Sequence, residues 1–301
     1  MARDDPAGSP GFAFSKTEHV RWQSQPDSNG VILLVAFEGW SDAGDAATTA
    51  VRYLGEHWGA QPFATIDPEI FYDFSTTRPQ VRLDADQQRE IVWPAVTFAL
   101  ASPGAGDADV VTVIGPEPQL RWRTFTDQIV AVAHQLGAEF VLTFGALLAE
   151  VPHNRPSSVF ATSTDDQAAK GFGLLPSRYQ GPTGITGVLH SACHQAGLQS
   201  ASLWAAVPTY VPAAPSPKAA LALVERAAQL LDLSVVTTEL EIAAASYERQ
   251  VDELVGDDEE TRDYVNQLVA QFDRGATDPF GDEDSLVDEV ERFLRDQPPT
   301  S

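Results

Sequence analysis

Residues Val31–Phe37 read VILLVAF, seven apolar positions with no polar break. That run is too short for an ordinary helix and lacks alternation, so it predicts a strand buried on both faces. Glu38-Gly39-Trp40-Ser41-Asp42 follows as a turn, with Asp42 placed to cap a helix. Ala47, Val51, Leu54 and Trp58 then recur at helical spacing. Similar apolar runs lie at Asp109–Ile114, Glu139–Phe144 and Ser202–Val207, with helix-like stretches at Trp122–Leu136 and Ile185–Ala196. This alternation predicts an α/β domain with a largely parallel central sheet.

The rhythm breaks between Ile66 and Val96, where aromatic, arginine-rich text suits short antiparallel strands. A proline-rich stretch, Pro208 to Pro217, ends in Ser216-Pro217, an N-cap followed by proline at the first helical position. The helix it opens places Leu221, Val224, Ala228 and Leu231 on one face. Two more amphipathic segments are expected, Leu240–Val255 and Thr261–Phe272, the latter with Tyr264, Leu268 and Phe272 in register. Arg274–Asp284 reads as a linker before a last helix carrying Leu286, Val290, Phe293 and Leu294. The organisation predicted is a loose leader over 1–17, an α/β core over 18–238 and an acidic helical region over 239–301. No internal repeat of convincing period is present.

Charge narrows the function classes. The net charge is −24, from 19 basic and 43 acidic residues. That argues against nucleic acid and anionic membranes, which require a basic footprint. The charge is uneven, because the 63 residues from Glu239 hold 19 acids and 5 bases. One cysteine, Cys193, excludes an intrachain disulfide and a cysteine-rich metal site. No stretch approaches the roughly 18 apolar residues of a membrane span. The N-terminus lacks the basic-then-apolar layout of a signal peptide, so a cytoplasmic protein is expected.

Standard catalytic signatures are missing. There is no GxxxxGK[ST] and no GxSxG. Gly104–Asp109 imitates GxGxxG but has an aspartate at the third glycine and leads into a strand, the reverse of a dinucleotide site. No cofactor is therefore expected. His190 and His194 stand four apart on a helix with Cys193 between them, which is half a zinc site at most, so no metal is expected. The loop Gly181-Pro182-Thr183-Gly184 ahead of a helix has an anion-binding look, although a tight turn packed on the sheet explains the same glycines. Pro152-His153-Asn154-Arg155-Pro156 follows a buried strand, where open α/β sheets place ligands. Its histidine and arginine suit an acid or a partner's carboxylate, while a rigid loop with Arg155 paired to an acidic neighbour accounts for them equally. The candidate binding residues are thus Glu38, Trp40 and Asp42 after the first strand, His153 and Arg155, and Gly181, Thr183 and Gly184. Aromatic residues crowd the loops at Trp40, Phe71–Phe74, Trp93 and Trp122, an enrichment typical of interfaces.

An ordered set of segments carries a resemblance: FEGWSDAGDAATTAVRYL, RPQVRL…REIVWP, GPEPQLRW, LLAEVPHNRP, YQGPTGITGVLHSACHQAGLQSASLWAAVPTYV and PSPKAALAL. Together they resemble the proteasome assembly chaperone 2 family in its actinobacterial-type form, from about Glu18 to about Phe272. The resemblance implies a three-layer α/β/α core similar to the phosphorylase/hydrolase-like fold, with helices appended at the C-terminus. It implies a non-catalytic, protein-binding module that assists assembly of a larger complex, with proteasome subunits as partners. The crowded aromatic loops predict a homo-oligomer, for which the resemblance points to a trimer. Family chaperones that dock into proteasome pockets often end in a hydrophobic residue, a tyrosine and one last residue. This chain ends Gln297-Pro298-Pro299-Thr300-Ser301, so pocket insertion is unsupported and function by surface contact stays open. The alternative is a small-molecule hydrolase or transferase with its pocket at the C-terminal ends of the strands, which rests on fold analogy.

Overall fold

A computed structural model describes residues 17–28, 30–104, 108–163, 174–176 and 181–274. The chain runs β1 (Val20–Trp22), β2 (Ile32–Glu38), α1 (Ala46–His57), β3 (Gln61–Ile66), β4 (Gln80–Leu83), β5 (Arg89–Val92) and β6 (Val96–Ala101). It continues with β7 (Val110–Pro116), α2 (Trp122–Gln135), β8 (Phe140–Ala149), β9 (Val159–Ser163), β10 (Leu175–Pro176) and α3 (Ile185–Gln195). β11 (Gln199–Pro208), α4 (Pro217–Leu231), α5 (Thr238–Gly256) and α6 (Glu259–Asp273) complete it. The expected leader and the last helix around Leu286–Leu294 lie outside the described residues, as does most of the Arg274–Asp284 linker.

Nine strands form one sheet in the order β1-β3-β6-β7-β2-β8-β11-β9-β10, and β4 and β5 make a separate antiparallel hairpin. The four central strands, β7-β2-β8-β11, are parallel. They are the four apolar runs read from the sequence. The flanks differ from the parallel expectation: β1, β3 and β6 pair antiparallel up to β7, and β9 pairs antiparallel with β11. The reason is connection length. β6 reaches β7 through the short stretch 102–109, which allows only a reversal, whereas β7 reaches β8, parallel to it and two places along the sheet, through the helical crossover α2.

β2 shows why both sheet faces are buried. Leu33, Val35 and Phe37 join one core cluster while Leu34 and Ala36 join the other, as a period of two requires. Phe125, Ile129 and Val132 of α2 and Ile185, Leu189 and Cys193 of α3 fill the first cluster. Ala47, Val51 and Leu54 of α1 and Leu223 and Val224 of α4 fill the second. The result is a three-layer α/β/α fold.

Local details follow the sequence with two adjustments. Ser216 caps α4 by accepting the Ala219 amide, with Pro217 in the first turn. The buried face of α4, however, is Ala219, Ala220, Leu223, Val224 and Ala227, turned from the expected Leu221–Leu231 stripe. Small alanines on that face let α4 lie close to α1. On α6, Val265 and Leu268 are buried while Tyr264 and Phe272 are half-buried. Asp258 caps this helix through the Thr261 amide, so the acidic run Asp257–Glu260 contains a helix start. Gly145 of β8 faces Trp204 of β11 in register, and a Cβ there would sit 2.5 Å from the indole. Only glycine admits that ring.

Phe71 and Tyr72 turn inward, although their loop reads as an interface from sequence. Phe71 is fully buried, with its ring 5.2 Å from that of Phe125, and the Tyr72 hydroxyl donates to the Pro116 carbonyl at 2.7 Å.

Candidate functional site

The central strands end together at Glu38, Pro116, Ala149 and Pro208, and the segments beyond them form the edge where α/β sheets of this kind carry ligands. The sequence-derived residues fall into two groups along that edge.

The first group joins the loop after β2 to the start of α3 through Glu117. Its Oε1 accepts the Ile185 amide at 3.1 Å, and the Trp40 amide bonds to the same carboxylate. Burial raises the Glu117 carboxyl while these two amides pull it down. The positive end of α3 is thus met by an acid of the chain itself, where the glycine loop has the look of an anion site. Trp40 packs across Gly184, and a Cβ on that glycine would lie 2.9 Å from the indole Cε3. Thr183 and Gly181 are exposed, and the Thr183 hydroxyl reaches only the Gly184 carbonyl at 3.4 Å. Glu38 is exposed and 3.9 Å from Arg52. Asp42 points the other way, into the start of α1: Oδ1 accepts the Ala47 amide at 2.7 Å and the Thr48 amide at 3.1 Å, and Oδ2 accepts the Thr48 hydroxyl. It serves α1 across a short 3-10 turn, Ala43–Asp45, that the sequence pattern does not resolve. Burial pushes its carboxyl up to about 6 against the Thr48 and Ala47 bonds.

The second group binds the C-terminal helices to the core. His153 is 2% exposed. Its amide donates to the Tyr210 hydroxyl at 2.7 Å, Nδ1 lies 2.8 Å from that hydroxyl, and Nε2 lies 2.9 Å from Asp252 Oδ1 on α5. The Asp252 carboxylate can only accept, so Nε2–H donates to it, and in the neutral imidazole Nδ1 then accepts the Tyr210 hydroxyl. Burial raises the Tyr210 phenol above its ordinary range. Lys218 of α4 donates to the His153 carbonyl at 2.6 Å and pairs with Glu248 of α5. Arg155 makes a two-pronged pair with Asp273 at the end of α6, both distances 2.7 Å. This hydrogen-bonded pairing holds the Asp273 carboxyl below the usual range. Tyr247, Val251, Val255 and Val265 close the joint, with Tyr210 and Val211 packed on them. The hollow lined by Pro152, His153, Arg155, Lys218 and Tyr247 has a volume of about 10 Å³.

The partners Glu117, Tyr210, Lys218, Asp252 and Asp273 carry no role in the sequence reading. Only the text GPEP, PTYV and PSPK around three of them stands out, and none of these fragments announces a contact across the fold. His190 is likewise engaged: Nδ1 meets the Ser200 hydroxyl at 2.8 Å, and Nε2 meets Thr143 at 2.9 Å and Ser202 at 2.6 Å. Burial lowers its imidazole to about 4 and pushes the Cys193 thiol up to about 12. His194 is exposed on the same helix, so the two rings do not face one ion.

Comparison with known proteins fixes the lineage. The PAC2 family model matches residues 36–255. The fold superposes on a PAC2 family protein from Streptomyces avermitilis with a TM-score of 0.73 at 43% identity, covering 78% of this chain and 99% of that one. A proteasome-assembly chaperone homologue from Mycobacterium tuberculosis gives 0.70 at 43% identity, with coverage of 78% and 99%. An archaeal proteasome activator from Pyrococcus furiosus shares the fold at 17% identity, with a TM-score of 0.63 and coverage of 78% and 97%. No curated protein matches the sequence. With the family model spanning most of the α/β core and well into α5, this chain belongs to the PAC2 family.

Proposed function

We propose that this protein is a non-catalytic binding module that assists assembly of a larger complex, with proteasome α-subunits as its partners. The observation that carries the reading is the state of the strand-end edge. Ligand pockets for small molecules run to roughly 300–1,000 Å³, whereas the hollow beside His153 and Arg155 has about 10 Å³. Both His153 nitrogens and the Arg155 fork are spent on the chain's own Tyr210, Asp252 and Asp273. Polar side chains committed in this way hold a surface in shape rather than turn over a substrate. The 43% identity to a proteasome-assembly chaperone homologue supports the choice of partner class. No helix among the described residues is long and apolar enough to cross a membrane. In this reading the protein acts in the cytoplasm as a homo-oligomer.

Co-expression with the proteasome α- and β-subunits of its own genome tests this. The reading expects faster formation of assembled core particles than in cells lacking the chain. Equal assembly rates with and without it would overturn the reading.

A further inference from the structure

The β4–β5 hairpin stands apart from the nine-stranded sheet. Register places Val81 opposite Ile91 and Leu83 opposite Arg89, so these four side chains share one face. That face is bare: Val81 is 62% exposed, Leu83 58% and Ile91 55%, with Trp93 just beyond at 47%. A two-stranded hairpin is only marginally stable in water without a packed face, and contiguous exposed apolar surface of this kind marks an interaction site. Its acids at the turn are already used, since Asp84 accepts the Asp86 and Gln88 amides. Its arginines, Arg78, Arg82 and Arg89, form no ion pair among the described residues.

The complementary surface lies on the same chain, at α6. Glu259, Glu260, Asp263, Tyr264 and Gln267 line an open hollow of about 520 Å³, in the region that carries most of the net negative charge. We infer that the hairpin of one copy docks on the α6 hollow of a second copy, with Leu83 and Ile91 against Tyr264 and Arg89 among Glu259, Glu260 and Asp263. The contact joins two different patches, so it is made twice in a two-fold pair or once per neighbour in a closed ring. Within the hairpin Glu90 stands opposite Arg82, whereas Arg89 lies on the apolar face with no acid opposite it. The acids of the chain's own α6 supply the complementary charge that favours a second copy as the occupant. The inference rests on the self-association stated above, but not on proteasome binding, which the co-expression assay decides separately.

Sedimentation equilibrium of the full chain at micromolar concentration tests it. The wild type is expected as an oligomer. Leu83→Asp with Ile91→Asp is expected to yield folded monomers, since the hairpin lies outside both main cores and far-UV circular dichroism should be unchanged. Arg89→Glu and Asp263→Arg are each expected to weaken association about tenfold, and the two together in one chain to recover it. A monomeric wild type, or oligomers that survive the Leu83 and Ile91 changes, would overturn the docking. Weakening by Arg89→Glu without any effect of Asp263→Arg would also overturn it, in favour of hairpin-on-hairpin pairing. If the Leu83 and Ile91 changes abolish only α-subunit binding while the oligomer persists, the hairpin serves a foreign partner and the inference fails.

Discussion

Replacing Asp42 by asparagine, which resembles the protonated acid, should stabilise the protein at neutral pH and change little once the carboxyl is protonated in acid. Asparagine is isosteric, and its carbonyl keeps the Ala47 and Thr48 amides while its amide donates to the Thr48 hydroxyl. Only the buried charge is lost. The carboxyl stands at about 6 in the folded chain against 3.8 ordinarily. Between those values the native state holds a proton that the unfolded chain has released, so stability rises as pH falls through the window. His190 does the reverse. Its imidazole stands at about 4 against 6.5. Below 6.5 the unfolded chain gains a proton that the native state refuses, so stability falls with acid. At 1.36 kcal/mol per pKa unit each effect is about 3 kcal/mol when complete, and the two oppose each other between about pH 4 and 6. The wild type should therefore show a shallow profile there from this pair. Asp42→Asn removes one slope and leaves the other, so its stability relative to wild type should drop by about 3 kcal/mol between pH 7 and pH 4. Urea unfolding at unit intervals of pH measures this, because other titrating groups cancel in the difference. A difference that stays flat across the range would refute the assignment of Asp42 as a buried, charge-disfavoured acid.

Three further outcomes are expected. Gly145→Ala puts a methyl 2.5 Å from the Trp204 ring and should destabilise by about 1–3 kcal/mol, with partial recovery when Trp204 is also made leucine, both read by urea midpoints. Cys193 should resist thiol reagents at neutral pH in the native state, because its thiol is buried and pushed up to about 12, and should react at the rate of unfolding, as a thiol-release assay across urea would show. Lys218→Met leaves Glu248 and the His153 carbonyl without their shared donor, so α5 and α6 should become the first segments cut in limited proteolysis while the sheet core stays protected.

Much of the architecture was legible because burial on both faces forces apolar runs. The four central strands and helices α1 to α3 follow directly from that pattern. The antiparallel flanks were not, since β3 and β6 are short and their pairing depends on which loops are too brief for a crossover. The stripe on α4 was read one position off because alanine counts weakly in an apolar periodicity, yet here Ala219, Ala220 and Ala227 form much of the buried face. At the strand-end edge, Trp40 and Gly184 meet, and His153 and Arg155 line one joint. Glu38 joins the first group only through its carbonyl, which accepts the Glu117 amide, and Asp42 turns away into α1. Chain pattern cannot show that Glu117 reaches 68 residues on to the Ile185 amide, or that Arg155 reaches Asp273. Such contacts are fixed by tertiary packing, not by local text.

The central claim is that the chain works by holding other protein chains. Native mass spectrometry of the purified full-length protein mixed with purified proteasome α-subunits at micromolar concentration tests it most directly. The account predicts non-covalent complexes containing both chains, at a stoichiometry that persists across dilution. Spectra showing only the separate species, under conditions where the α-subunits still bind one another, would contradict it.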